Sequence, residues 1–138
     1  YQKARELVRM PKAATKDSKL TKIARETLAG YEDVGNIERM VINNEKQHRT
    51  KETSDIEFDD ADVSLSGKIT LSGTQTTYFY EWDQFQVATA EPKGDKYFIF
   101  YNTLKYFTSG STTTPLNKWI MSGRLQGSEI PKENIKKD

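Results

Sequence analysis

His48 is the only histidine and the chain has no cysteine, so the residue types that most often carry covalent or metal-assisted chemistry are nearly absent. Without Cys there are no disulfides, thiol nucleophiles or Cys-ligated zinc and iron–sulfur sites. A single histidine excludes His-pair metal sites. It also leaves Ser–His–Asp catalysis resting on a residue in NNEKQHRTKE, a polar run without apolar neighbours or a nucleophile elbow. Asp83 and Glu81 sit in the most aromatic segment of the chain and are the two carboxylates with acid–base potential, because a carboxyl held against apolar groups has its pKa lifted toward working pH. Asp83 is the stronger of the two, and it is the catalytic alternative in an otherwise non-catalytic reading. The acidic run Asp55, Glu57, Asp59, Asp60 and Asp62 invites a calcium loop. An EF-hand starting at Asp55 needs Gly at its sixth place and Glu at its twelfth, where this chain has Asp60 and Ser66. The run therefore reads as a solvated loop, and no metal or cofactor is expected.

The most concentrated signal is aromatic: twelve of the fifteen Phe, Trp and Tyr residues fall between Tyr78 and Trp119. Core filling and cross-strand ladders account for many aromatics in a sheet. One phase, with Tyr78, Tyr80 and Trp82 on one strand and Tyr97 and Tyr101 across a hairpin, is the candidate for binding a partner, since Tyr and Trp are typical interface anchors. Stacking of single-stranded bases on such a face is disfavoured because Lys and Arg are sparse within these strands, as at Lys96, Lys105 and Arg124, and no basic-Gly-aromatic segment occurs. Charge agrees. Residues 1–51 carry net +5, residues 52–96 net −7 and residues 97–138 net +3, so no continuous basic face emerges from a chain of net charge +1.

Positioning these residues requires a helical segment followed by strands. The 138 residues suit a single domain, divided here into a helical segment 1–30, a sheet over 37–126 and a flexible tail over 127–138. Gln2–Met10 reads as a short helix ended by Pro11. A second helix follows, capped by Asp17 or Ser18, with Leu20, Ile23, Ala24, Leu28 and Tyr31 on one stripe and Gly30 as terminator. The period then falls to two. Ile37–Ile42 is β-prone, and the polar stretch 43–55 reads as a long exposed edge or a hairpin arm. Val63–Leu71 alternates as a strand. Thr76–Thr89 is a second strand, and its apolar phase shifts from Tyr78, Tyr80 and Trp82 to Phe85 and Val87, which predicts a bulge or bend near Asp83 and Gln84. EPKGDK is a hairpin turn. Strands at Tyr97–Phe107 and Lys118–Gln126 follow, the last with Trp119, Met121 and Leu125 in one phase. The resulting fold class is α+β: an N-terminal helix or helices packed on a curved antiparallel sheet of about four to five long strands.

The helix at 18–29, the hairpin TTYFYEWDQFQVATAEPKGDKYFIFYNTLKYF and the closing NKWIMSGRLQ follow an element order similar to the nuclear transport factor-like cone, and also to the simpler cystatin-like roll. The resemblance implies a cavity between helix and sheet. It also implies a choice among small isomerases and dehydratases, transport adaptors and extracytoplasmic assembly domains of secretion machines. From the residues themselves the expected function is a non-enzymatic protein-interaction or assembly domain of a larger chain or complex, with a protein partner or self-association through the aromatic phase. The alternative is a cone binding a small apolar ligand, with isomerase- or dehydratase-type chemistry at Asp83. No stretch is long and apolar enough to span a membrane, and a start at Tyr1 is compatible with an extracytoplasmic or membrane-tethered setting.

Overall fold

The computed structural model describes residues 7–63 and 69–137; of 55–63 and 69–74 it describes the backbone alone. Among the described residues one helix, α1 (Ser18–Leu28), precedes four strands, β1 (Arg39–Val63), β2 (Ile69–Lys93), β3 (Lys96–Ser109) and β4 (Trp119–Glu129), and a 3-10 turn at Lys132–Asn134 closes the described chain. The strands form one open antiparallel sheet in the order β1-β2-β3-β4.

The helix begins where the sequence places it because the Asp17 carboxylate accepts from the Lys19 and Leu20 amides, satisfying two first-turn donors that have no intrahelical partner. It ends just before Gly30, as expected, but without a left-handed cap: Ala29 keeps right-handed geometry, Gly30 does not take positive φ, and the last carbonyls are met by short turns from Gly30 to Thr27 and from Tyr31 to Leu28. Leu20, Ala24 and Leu28 are buried against Ile42, Phe85, Val87 and Leu104. Of the first expected helix, residues 2–6 lie outside the described ones, and Leu7–Met10 are not helical. Met10 is instead buried with Val41, Ala88, Ala90, Ile99, Ile130 and Ile135, forming a second cluster. The two clusters use alternate residues of β2, Phe85 and Val87 for one and Ala88 and Ala90 for the other, so this part of the sheet is covered on both faces. The tail expected to be flexible contributes to that cover. Ile130 and Ile135 are buried, the Ile130 amide donates to the Tyr97 carbonyl, and Asn134 donates to the Val8 carbonyl. Two isolated apolar residues in a polar tail were too sparse to show a period.

Three strand expectations also change. Val63–Leu71 is not one strand, since Val63 pairs with Ile69 and the two lie on opposite arms of an antiparallel pair, with 64–68 outside the described residues. Alternation reports the pleat and is blind to a reversal placed within it. The ladder is irregular near Gln84, as expected, but β2 does not carry the extra residues. The extra residues are on its neighbours, in β1 between Ile42 and Gln47 and in β3 between Phe107 and Ser109. The apolar phase shift along β2 instead marks where cover changes from one face to the other. In β4 an extra residue between Met121 and Gly123 flips the phase, so Trp119 and Met121 pack on the helix cluster while Leu125 is 69% exposed. The EPKGDK turn is as expected, with Gly94 at φ 67° between paired Lys93 and Lys96.

The polar stretch 43–55 is both an edge and an arm. β3 pairs with β2 only as far as Glu81, whereas β1 follows β2 down to Ile69. Among the described residues, 69–80 of β2 therefore pair with β1 alone, in a two-stranded ribbon about 40 Å long at the usual rise per residue. The acidic run Asp55–Asp62, expected as a loop, is part of β1 in this ribbon. Among the described residues no helix is long and apolar enough to cross a membrane.

Candidate functional site

Where the ribbon leaves the four-stranded body, antiparallel register sets Trp82 opposite Phe107 and Arg49. Residues opposite one another share a face, so Tyr78, Tyr80 and Trp82 of β2 stand on the same face as Phe107 and Lys105 of β3. The Trp82 and Phe107 ring centroids are 5.4 Å apart, and Tyr80 meets Phe107 edge-on at 6.4 Å. The Lys105 ammonium lies 4.9 Å from the Trp82 centroid and 5.9 Å from that of Phe107, a cation–π arrangement over a partly exposed aromatic pair. Trp82 Nε1 donates to the Gln84 amide oxygen at 2.9 Å, which fixes the indole's orientation. Tyr78, Tyr80, Trp82 and Phe107 are all half-buried.

Tyr97 and Tyr101 share this face but not this place. They pair with Pro92 and Ala88, and Ala88 is six residues, about 20 Å, along β2 from Trp82. Both pack against the cluster containing Ile99, Ile130 and Ile135. Alternation identified the common face. Position along the strand depended on where the hairpin turns and on what covers that end.

On the opposite face of the ribbon's base, His48 stands between two carboxylates. Its Nδ1 is 2.7 Å from Asp83 Oδ1 and its Nε2 is 3.0 Å from Glu81 Oε2. Hydrogen bonding to Asp83 first, then to Glu81, raises the imidazole pKa above its ordinary 6.5, because both partners favour the charged ring. The carboxylates engage opposite ring nitrogens and do not converge on a point. Among the described residues no group of three His, Asp or Glu side chains is arranged to hold a metal ion. The side chains remain open to water, 57% exposed for His48 and 33% for Asp83. Sequence reading found each of these residues but not their meeting, which needs the β1–β2 register that sets His48 opposite Asp83.

A third constellation escaped sequence reading. Glu91, placed by sequence in a hairpin turn, is 1% exposed and forms a bidentate pair with Arg124, Oε1 to Nη2 at 2.7 Å and Oε2 to Nη1 at 2.9 Å. Thr89 also donates to Glu91, the Gly35 amide donates to it at 2.7 Å, and Arg124 further donates to Asn102 Oδ1 and the Asp33 carbonyl. The guanidinium lies 4.1 Å from the Phe100 centroid. Both Glu91 oxygens and both terminal Arg124 nitrogens have partners, and the network ties the connection between α1 and β1 to the sheet, which gives it a structural role.

The cavity expected between helix and sheet is filled by Leu20, Ala24, Leu28, Phe85, Val87 and Leu104. Open depressions of about 250 Å³ beside Arg25, Tyr31 and Ile37, and about 390 Å³ beside Lys96, Tyr97 and Lys132, lie elsewhere, and Asp83 lines neither. Comparison of the chain with protein-family models, curated proteins and solved structures finds no match.

Proposed function

We propose that the chain is a non-enzymatic protein-interaction or assembly domain, part of a larger chain or complex, whose helix-backed, curved sheet docks a protein partner through Tyr78, Tyr80 and Trp82 together with Phe107 and Lys105. The observation that carries this reading is the projecting ribbon with half-buried aromatics at its root. A two-stranded hairpin alone is marginal in water, and stability comes from a third strand or a packed layer. Aromatic anchors beside an uncovered ribbon provide the surface for such a layer. The acid–base alternative has less support, since Asp83 faces water beside His48 rather than an enclosed apolar pocket.

The test is a photo-crosslinking residue placed at Tyr80 in the source cell, with the same probe at Lys19 on the solvent side of α1 as control. The expected result is a defined protein adduct at position 80 that disappears when Trp82→Ala is added. Equal adducts at both positions, or none at position 80, would refute the aromatic docking face.

A further inference from the structure

We infer that two copies of this chain pair through the outer edges of their β1 strands, antiparallel about a two-fold axis at Thr53, to make one continuous eight-stranded sheet. The edge differs from the aromatic face, so this inference stands or falls separately from the proposed docking role.

β1 is a terminal strand of the sheet, and it is 25 residues long. Near its start the outer edge is occupied, because the Ala14 amide donates to the Ile42 carbonyl at 2.8 Å. Bulges interrupt β1 between Ile42 and Gln47 and again between Phe58 and Asp60. Between them, residues 47–58 run in unbroken register, and QHRTKETSDIEF contains no Pro or Gly. Short length, proline, bulges and charged side chains are the usual means of blunting an edge; this stretch has none of the first three, and its charges, Arg49 and Lys51 before Thr53 with Asp55 and Glu57 after it, are arranged to complement a second copy.

The occupant follows from charge. Arg49 and Lys51 precede the middle of the stretch, and Asp55 and Glu57 follow it. A two-fold axis perpendicular to the sheet at Thr53 sets Lys51 opposite Asp55 and Arg49 opposite Glu57 of the second copy, each pair occurring twice. The same register sets Glu52 opposite Ser54 and leaves no like charges directly opposed. Opposite-charge cross-strand pairs stabilise a ladder, and like charges directly opposed destabilise it. Moving the axis one residue back puts Glu52 against its own copy. Moving it one residue forward carries Arg49 onto Asp59, the residue left out of register by the second bulge. The overlap 48–58 supplies about ten backbone hydrogen bonds by antiparallel alternation, in the range of a specific interface. A perpendicular axis also keeps both aromatic groups on one side of the joined sheet.

Sedimentation equilibrium over a concentration series tests the pairing. The parent chain is expected to dimerise at low salt and to weaken at high salt. The variants R49E/K51E and D55K/E57K each reverse one half of every pair, so each alone is expected to bind itself on the order of a hundredfold more weakly. Mixed in equal amounts they are complementary again and should recover a heterodimer, while Trp82→Ala should leave the parent dimer unchanged. A second readout needs no charge change. Thr53→Cys introduces the only cysteine, and paired Cα atoms at the axis lie within disulfide reach, so mild oxidation should give a covalent dimer, whereas Lys19→Cys should not. A parent chain that stays monomeric at every concentration, charge variants that dimerise like the parent, or Thr53→Cys that crosslinks no better than Lys19→Cys would overturn the inference.

Discussion

The two ends of β2 form a natural comparison. From Phe85 to Glu91 its residues lie between two side-chain clusters, and nearly every one is buried. Among the described residues, the stretch Ile69–Tyr80 of the same strand has β1 as its one ladder partner, and β3 reaches only its last residues. Backbone pairing is continuous along both, so hydrogen bonding alone does not distinguish them; the difference is what covers the faces. Strand geometry can be sustained by pairing, but most of a domain's stability comes from apolar area removed from water. The covered end of β2 therefore acts as the scaffold, and the ribbon is the part left to be completed by contact.

Substitutions can break this comparison at points of decreasing cost. Glu91→Ala leaves Arg124 without its bidentate partner among buried groups, and should cost about 3 to 5 kcal/mol in urea unfolding. Phe85→Ala, which opens the cluster under α1 and removes the edge-on contact to Trp119 at 5.2 Å, belongs in the same range of about 3 to 5 kcal/mol. If either cost under about 1 kcal/mol, the covered end would not be the scaffold. Asp17→Ala removes the helix cap and should cost about 1 kcal/mol, read from the same unfolding curves.

Hydrogen exchange sharpens the contrast without mutation. Amides of Val87–Ala90 should exchange only through global opening, and those of Thr76–Tyr80 through local opening of the ribbon. Equal protection in the two stretches of an isolated copy would remove the distinction.

The smallest effect concerns His48. Its pKa is raised in the folded chain by Asp83 and Glu81, so the stabilisation is fully present below the unfolded value of 6.5 and is lost as pH rises through the higher folded value. A nuclear magnetic resonance titration of the imidazole should give a midpoint above 6.5, falling back toward it in Asp83→Asn. A midpoint at or below 6.5 in the parent chain would mean that the carboxylates do not hold the ring.

Local patterns carried much of this fold. The Asp17 cap and the Leu20, Ala24, Leu28 stripe specified α1, because a helix period and a cap are set within a few residues. Gly94 specified the β2–β3 turn. The alternation of Tyr78, Tyr80 and Trp82 placed them on one face. Errors arose where an outcome depended on a neighbour: the reversal within Val63–Leu71, the bulges on β1 and β3, and the phase flip that exposes Leu125.

Sequence alone determined the absence of thiol chemistry, the helix, the hairpin turn, the aromatic phase and the opposed charges of Arg49, Lys51, Asp55 and Glu57 about Thr53. Tertiary structure alone decided that His48 meets Asp83 and Glu81, that Glu91 and Arg124 pair in the interior, that Tyr97 and Tyr101 join a core while Trp82 stands at the root of a ribbon, and that, among the described residues, no strand pairs with the outer edge of β1. The physical reason is range. Caps, turns and pleat phase depend on energies between residues a few positions apart, whereas burial, register and edge exposure depend on which distant segment arrives alongside, and one chain's local pattern is compatible with several such arrangements.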